Sequence, residues 1–210
     1  MRTSFVIKGI LAAAAVAVPL LCSAESNYQT GAGTLTATAH VDFQITIPQF
    51  LFLRVGTGTG TAAGGYATNA TIDPITWAPT AAQVGTGVLA GTGGDLGGGV
   101  ETAVVVSNGG VVTFSSTTTG ALSDGAVPPD TISFGTITTT ATHNTTGTTL
   151  AAPALADGAT TTITLTPVAK VVQQDAKWAY TYANATSPAA GTYGGVNVNN
   201  GRVVYTASVP

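Results

Sequence analysis

The chain is 210 residues long, and only 7% of them are charged, compared with roughly a quarter in ordinary soluble domains. The formal net charge at pH 7 is −3, from six basic and nine acidic residues. Because so few basic side chains are present, nucleic acid and anionic membrane surfaces are not expected as partners. The apolar content of 44% also argues against a disordered chain, which is normally poor in apolar residues and rich in charge.

The first 24 residues have the pattern of a secretory signal peptide. Arg2 and Lys8 supply positive charge, residues 9–21 form an apolar stretch, and Cys22-Ser23-Ala24 supplies small residues for cleavage. The apolar stretch is shorter than the ~20 residues that span a bilayer, so no transmembrane anchor is expected. The pattern predicts a signal peptide at 1–24 and export to the periplasm, the surface or the exterior of a bacterial cell.

Cys22 is the only cysteine of the chain, and cleavage after Ala24 removes it. A lipoprotein acylated at Cys22 is an alternative interpretation, but Leu21 is larger than the residue that normally precedes such a cysteine. Residues 25–210 therefore contain no disulfide. We expect them to form a single domain that is stabilised by packing and by hydrogen bonds between strands.

Residues 34–47 carry the clearest pattern in the chain. Apolar and polar residues alternate over the whole segment, and successive side chains of a strand point to opposite faces. The pattern predicts a long strand that ends at Pro48, because proline cannot donate a hydrogen bond to a sheet. The apolar positions are Leu35, Ala37, Ala39, Val41, Phe43, Ile45 and Ile47.

The middle of the chain alternates short apolar runs with glycine-rich stretches. Residues 50–55 predict a second strand, and residues 56–65 and 85–99 predict long loops. Two β-branched runs, 102–106 and 111–115, flank the sequence Ser-Asn-Gly-Gly, and this arrangement predicts a tight hairpin.

The remaining predicted strands lead to the fold class. Strands are expected at 131–138 and 160–166, with Ile132, Phe134, Ile163 and Leu165 pointing inward, while the threonine-rich residues 138–149 fit either a strand edge or a loop. Short strands with polar turns and no amphipathic helix predict an all-β, immunoglobulin-like or pilin-like antiparallel β-sandwich with long Gly/Thr-rich loops. The C-terminal residues that alternate with smaller or polar ones are Trp178, Tyr180, Tyr182, Val203, Tyr205, Ala207 and Val209.

A strand, then Ala190-Gly191-Thr192-Tyr193, then a closing strand at 203–209 resembles bacterial pilin-like and coat-like β-sandwich subunits. The resemblance implies that the alternating N-terminal segment fills a groove of a neighbouring subunit by strand addition. The chain departs from many such subunits because residues 25–210 lack cysteine and because Tyr205 is not at the extreme C-terminus. The implied plug or first-strand residues are Leu35, Ala37, Ala39, Val41 and Phe43, and Ile45 and Ile47 complete the candidate assembly set.

The sequence has no clear pattern for catalysis or metal binding. The two histidines, His40 and His143, lie on a predicted polar strand face and in a Thr/Asn loop, without a Gly-x-Ser-x-Gly motif. Asp124 and Asp130 fit a turn better than a glycosidase pair. Residues 91–97 resemble one calcium-binding glycine/aspartate repeat, but such sites need tandem copies. We therefore expect neither an enzyme nor a bound cofactor.

The aromatic residues Trp178, Tyr180, Tyr182 and Tyr193 allow two interpretations. They could form a face that binds sugar rings, or they could be the core of the sandwich with tyrosine hydroxyls at its edge. The leading prediction is an exported structural or adhesive surface protein, a fimbrial-like subunit that self-associates or binds other surface proteins through its N-terminal strand. The alternative is a secreted carbohydrate-binding module, for which a polysaccharide would be the partner.

Overall fold

The structure is a computed structural model that describes residues 26–58, 66–145 and 147–210. The chain divides into two compact units, Met1–Ile47 and Pro48–Pro210. The predicted signal peptide and most of the predicted loop at 56–65 lie outside the described residues.

The described residues form an all-β structure, and the all-β prediction is confirmed. They contain thirteen strands and one short 3-10 helix, Phe134–Thr136. The strands are β1 (Leu51–Val55), β2 (Ile75–Thr76), β3 (Leu89–Ala90), β4 (Thr92–Gly93), β5 (Val100–Ser107), β6 (Val112–Thr117), β7 (Leu122–Ser123), β8 (Thr131–Ile132), β9 (Ile137–Thr142), β10 (Thr148–Thr149), β11 (Thr160–Leu165), β12 (Val172–Tyr182) and β13 (Val204–Ser208).

The larger sheet has six strands in the order β1-β5-β12-β10, and β3 and β9 also pair with β12. Strand β5 is central, because it pairs with β1 from Leu51↔Ser107 to Val55↔Ala103 and with β12 along its other edge. Its residues 101–107 are buried on both faces, as expected for a central strand. The short β10–β12 pair is parallel, whereas the other pairs of this sheet are antiparallel.

The smaller sheet has the order β11-β6-β13, with both outer strands antiparallel to β6. Two further pairs, β2–β4 and β7–β8, are two-residue ribbons. The described sheets thus have a long six-stranded layer and a shorter three-stranded layer.

The hydrophobic core contains side chains from both layers, which makes the architecture sandwich-like. Trp178 of β12 and Phe114 of β6 are fully buried, and their ring centroids are 6.0 Å apart. The indole Nε1 of Trp178 donates a hydrogen bond of 2.8 Å to the carbonyl of Leu150, so this large side chain leaves no polar atom without a partner. The strands predicted at 50–55, 160–166 and the C-terminal third are present as β1, β11, β12 and β13.

The tight hairpin predicted across residues 102–115 is wrong. Strand β5 lies in the larger sheet and β6 in the smaller sheet, so residues 108–111 connect the two layers. The physical reason is that Asn108 in the turn binds the chain ahead of β1 rather than closing a hairpin. This connection allows Val105 and Val112 to enter the same core from opposite sheets.

The strand predicted at 131–138 is interrupted. Ser133 caps the 3-10 helix, because its Oγ accepts a hydrogen bond of 3.1 Å from the amide of Gly135. The amide of Phe134 donates a hydrogen bond of 2.7 Å to Asp157 Oδ1, and the Phe134 side chain is buried in the core. Both alternatives for residues 138–149 occur, since β9 and β10 are strands and the described residues 143–145 lie in no strand.

The long strand predicted at 34–47 is absent from the described structure of the single chain. Residues 34–47 are assigned to neither strand nor helix, and every one of them is exposed. A strand needs a neighbour that pairs with its backbone N–H and C=O groups. The alternating pattern predicted the apolar positions of the segment. Among the described residues, however, no sheet includes residues 34–47.

Candidate assembly site

The N-terminal segment, residues 26–47, exposes an unusual amount of apolar surface. Phe43 is 89% exposed and Ile45 is 86% exposed. Isolated apolar residues are common on protein surfaces, but a continuous stripe of them marks an interaction site. All seven sequence-predicted assembly residues are exposed, and we call them together the apolar stripe: Leu35, Ala37, Ala39, Val41, Phe43, Ile45 and Ile47.

Strand β1 is an edge of the larger sheet in Pro48–Pro210. It pairs with β5 along one side, and no ladder is assigned to its other side in the described chain. The core-facing side chains of Leu51, Leu53 and Val55 are only half-buried, whereas Ala103 and Val105 on the neighbouring strand have 0% exposure. The core is therefore incompletely covered at β1.

Strand β13 is an edge of the smaller sheet and lies close to β1. Its core-facing residues Tyr205 and Ala207 are half-buried, and so are Val203 and Val209 beside them. No ladder joins β1 to β13 among the described residues. The sandwich is thus open along the side where its first and last strands approach each other.

Two cavities follow one another along β1, and we call them together the β1 groove. The larger has a volume of about 490 Å³ and the smaller about 80 Å³. Tyr66 lies against two rings of the β1 region, 5.3 Å from Phe50 and 4.7 Å from Phe52 between ring centroids. Consecutive residues of β1 line the groove, which is the arrangement expected at a strand edge. The lining residues are Phe50, Leu51, Phe52, Leu53, Arg54, Val55, Thr57, Gly58, Tyr66, Ala67, Thr68, Asn69 and Thr71.

Polar contacts fix the C-terminal end of β1. The guanidinium of Arg54 forms an ion pair with Asp95 at 3.2 Å between Nη2 and Oδ2. The second carboxylate oxygen of Asp95 accepts a hydrogen bond of 2.7 Å from the amide of Thr102 in β5. The amide of Gly56 also donates to the carbonyl of Thr102 at 2.8 Å. These bonds hold β1 against β5 and keep the edge in a defined position.

Glu101 is a buried carboxyl group at this polar end of the core and is 7% exposed. Burial, together with the nearby carboxylates of Asp73 and Asp95, raises the pKa of Glu101 to about 7. Tyr180 and Tyr205 lie close enough to interact with it, and their hydroxyls are 3.2 Å apart. Ionisation of Glu101 therefore adds a buried negative charge close to Asp73 and Asp95, which destabilises the folded chain.

The four aromatic residues considered as a sugar-binding face do not form one. Trp178 and Tyr180 lie in the core with exposures of 0% and 6%. Tyr182 is half-buried near Trp77, and the half-buried Tyr193 donates a hydrogen bond of 2.8 Å to the carbonyl of Ala189. The alternation of Trp178, Tyr180 and Tyr182 with smaller residues was the sequence feature that indicated a core strand, because β12 contributes Trp178 and Tyr180 to the core.

The surface aromatic cluster was not identified from the sequence. It consists of Phe50, Phe52 and Tyr66, and Tyr66 follows the glycine-rich stretch that was predicted as a loop. The alternation of Phe50 and Phe52 could have indicated that both rings lie on one face of β1. Nothing in the sequence places Tyr66 against them, because that contact depends on the path of the chain between the two regions.

His40 and His143 are both exposed. In the part of the chain that the structure describes, no group of three or more His, Cys, Asp or Glu side chains could hold a metal. The exposed apolar residues of 34–47 and the β1 groove, each taken by itself, are the two surfaces with the most distinctive geometry.

Comparisons with known proteins give no family for this chain. No family model matches it, and no curated protein or solved structure matches it significantly. Within the described residues, none of the helical structure has the length and apolar character needed to cross a bilayer.

Proposed function

We propose that this chain is an exported structural subunit that assembles when residues 34–47 of one copy add as a strand to the β1 groove of another. One observation carries the proposal. The apolar stripe of the segment is exposed, and the folded unit has an edge strand with no assigned partner on one side in the described residues. Residues 34–47 need a sheet edge with which their backbone can pair, and the edge of β1 needs a strand that covers it.

Strand addition would satisfy both surfaces. The backbone of residues 34–47 would gain the ladder of hydrogen bonds that a lone segment lacks. Its apolar face would cover the half-buried side chains of Leu51 and Leu53, and its polar face would remain in water. Each large apolar side chain buried in this way contributes about 1.5 to 3 kcal/mol. Several of them together exceed the lower estimates of the cost of association, about 4 kcal/mol.

The location of the protein is part of the same proposal. The N-terminal pattern of charge, apolar stretch and small residues supports export from a bacterial cell. Cleavage after Ala24 would leave the alternating segment close to the new N-terminus, where it can reach another molecule. An exported subunit without cysteine would depend on strand pairing rather than on disulfides for the strength of the assembly.

The test compares two double variants of the chain recovered from the exporting host. Phe43→Asp with Ile45→Asp places two charges on the apolar face, and we expect the association constant to fall by roughly 100-fold or more. Gln44→Asp with Thr46→Asp places the same charges on the polar face and serves as the matched control. Assembly is measured by light scattering over a range of protein concentrations.

Two results would contradict the proposal. One is a wild-type protein that remains a compact monomer at every concentration. The other is an equal loss of assembly in both double variants, which would mean that added charge matters and the apolar face does not. Removal of residues 25–47 is expected to leave a folded monomer, as judged by a cooperative unfolding transition.

A second candidate function is polysaccharide binding at the Phe50, Phe52 and Tyr66 cluster. Aromatic rings beside Thr68 and Asn69 in an open cleft combine a stacking surface with hydrogen-bonding groups. This function predicts saturable binding of a neutral polysaccharide in calorimetry, with loss of binding in Tyr66→Ala. Trp178 fluorescence should stay unchanged, because that side chain is buried in the core. A flat titration with a panel of neutral polysaccharides would exclude it.

A further inference from the structure

We infer that β11, an outer strand of the smaller sheet, is a further self-association surface at which two copies of the chain pair edge to edge around a two-fold axis. The partner is a second copy of this chain, and the contact joins two three-stranded sheets into one continuous sheet. The inference goes beyond the proposed function, because it rests on β11 and its neighbours alone and does not involve residues 34–47.

The free edge of β11 presents backbone groups at every second residue. The carbonyl of Ala159 accepts a hydrogen bond of 3.2 Å from the amide of Thr118, so the backbone of Ala159 faces β6. In an antiparallel ladder the backbone groups of successive residues point to alternate sides, and those of Thr160, Thr162 and Thr164 therefore point away from β6. Among the described residues, no strand pairs with this side of β11, and no backbone hydrogen bond from a turn or loop reaches it.

The edge of β11 lacks the features that normally keep exposed strand edges apart. Such edges are usually protected by charged side chains, by proline or by a bulge. Strand β11 has the sequence TTTITL, which contains neither a charged residue nor proline. Its register with β6 is continuous from Thr160↔Thr117 to Leu165↔Val112, so no bulge bends the strand away. The edge is therefore open to pairing with another uncharged strand.

A two-fold axis through Thr162 makes this edge complementary to itself. Antiparallel pairing around that axis places Thr162 opposite Thr162 of the second copy, and Thr160 opposite Thr164. These are the residues whose backbones point outward, so each opposite pair exchanges two N–H···O=C bonds, which gives about six hydrogen bonds in total. The same surface serves in both copies, as a closed two-fold dimer requires.

The side chains agree with this register. Thr160, Thr162 and Thr164 are exposed, and opposite residues of an antiparallel pair lie on the same face of a sheet. The dimer therefore brings threonine against threonine, a pairing that Thr160 already makes with Thr117 at 2.8 Å between the Oγ1 atoms. A shift of one residue would join the core-facing side of one copy to the exposed side of the other. Because the contact is a single strand pair, we expect a dimer that depends on protein concentration.

The test uses single cysteine variants of the full exported chain under mild oxidation. Thr162→Cys brings the two introduced side chains of a dimer opposite each other, with Cα atoms about 5.5 Å apart, within the ~4.4–6.8 Å that a disulfide spans. We expect a disulfide-linked dimer on a non-reducing gel. Thr160→Cys and Thr164→Cys are matched controls, because each lies about 13 Å along the strand from its equivalent in the second copy. Neither should cross-link alone, whereas a mixture of the two should.

A second comparison tests the edge without an introduced cysteine. Thr162→Lys places two ammonium groups opposite each other, and we expect the association constant of the dimer to fall about 5-fold. Thr113→Lys places the same charge at an exposed position of β6, which is paired on both sides, and it should dimerise as wild type does. Both are measured by analytical ultracentrifugation in the Phe43→Asp, Ile45→Asp background, in which the proposed strand addition is weakened.

The outcomes separate this inference from the proposed function. Equal cross-linking of the three single cysteine variants would indicate random collision, and an absence of cross-linking in Thr162→Cys would show that the edge stays unpaired; either result overturns the inference. Assembly that depends on the apolar stripe but lacks the register-specific cross-link would overturn the role of β11 and leave the proposed function standing. A register-specific cross-link in a chain whose association is unaffected by Phe43→Asp with Ile45→Asp would do the reverse.

Discussion

Two segments of this chain alternate apolar and polar residues in the same way but have different surroundings. In β13 and its flanks, Tyr205 and Ala207 turn toward the core, and the strand pairs with β6 over five residues. In residues 34–47 the pattern is longer, yet Phe43 and Ile45 are almost fully exposed and no strand is assigned. Alternation thus specifies which face of a segment is apolar, while the partner that covers this face comes from elsewhere.

The two segments are also expected to have different roles, β13 in the stability of the folded chain and residues 34–47 in the proposed assembly. Tyr205 has ring contacts with Phe114 and Trp178, so β13 contributes to the folding of its own chain. In residues 34–47, by contrast, Phe43 and Ile45 are almost fully exposed, and in the proposed function a second molecule covers them. Substitutions in the core should therefore change unfolding, and substitutions in the segment should change association.

The largest expected effect is that of Trp178→Ala. The variant removes a fully buried indole and leaves the carbonyl of Leu150 without its donor, and the free energy of unfolding should fall by about 3 to 5 kcal/mol. Urea unfolding followed by circular dichroism measures it. If Trp178→Ala had wild-type stability, the expectation that core substitutions change unfolding more than substitutions in residues 34–47 would be wrong.

An intermediate effect is expected from Glu101→Gln, and it depends on pH. The pKa of Glu101 is about 7 in the folded chain against 4.5 in the unfolded chain, so the folded state holds its proton more tightly. Stability from this group is complete below pH 4.5 and is lost as the pH rises to about 7. At about pH 8, the glutamine variant should be more stable than wild type by up to roughly 3 kcal/mol.

The control for the Glu101 prediction lies in the same titration. Well below pH 4.5 the two proteins should have nearly equal unfolding free energies, because the carboxyl group is then protonated in both the folded and the unfolded state. A wild-type protein whose stability is the same at both ends of this range would show that the buried carboxyl group does not govern the pH dependence.

The smallest expected effect is that of Phe43→Ala on the unfolding of the dilute monomer. Because Phe43 is 89% exposed, the free energy of unfolding should change by no more than about 0.5 kcal/mol. The same variant should weaken assembly at higher concentration. A loss of several kcal/mol in the dilute monomer would mean that the segment packs on its own chain, and the contrast between the two segments would disappear.

The sequence predicted the chemistry of individual segments better than their connections. The alternation around Trp178 and Tyr205 predicted strands, and in the structure these side chains turn toward the core, because burial in a two-layer sandwich imposes a period of two. The same reasoning did not recognise that residues 108–111 join two sheets. A Ser-Asn-Gly-Gly stretch between β-branched runs is compatible with a hairpin, and only the contacts of Asn108 with Pro48 and Phe50 distinguish the two.

Of the two surfaces in the proposed assembly, the sequence predicted one. The apolar residues of 34–47 were identified because their pattern is local and continuous along the chain. The β1 groove was not, because Tyr66 reaches Phe50 and Phe52 only through the path of the folded chain. The sequence also left the role of Trp178 and Tyr180 open, and burial in the core decided it.

By itself, the sequence determined the all-β class, the absence of cysteine after residue 24, and an N-terminal segment with one apolar face. These properties follow from composition and from periodicity, which act over a few neighbouring residues. The tertiary structure decided that β5 and β6 belong to different sheets, that β1 is an edge, and that Asn108 holds the chain ahead of it. Those features depend on contacts between residues far apart in the chain, and packing selects among the pairings that the local patterns leave equally possible.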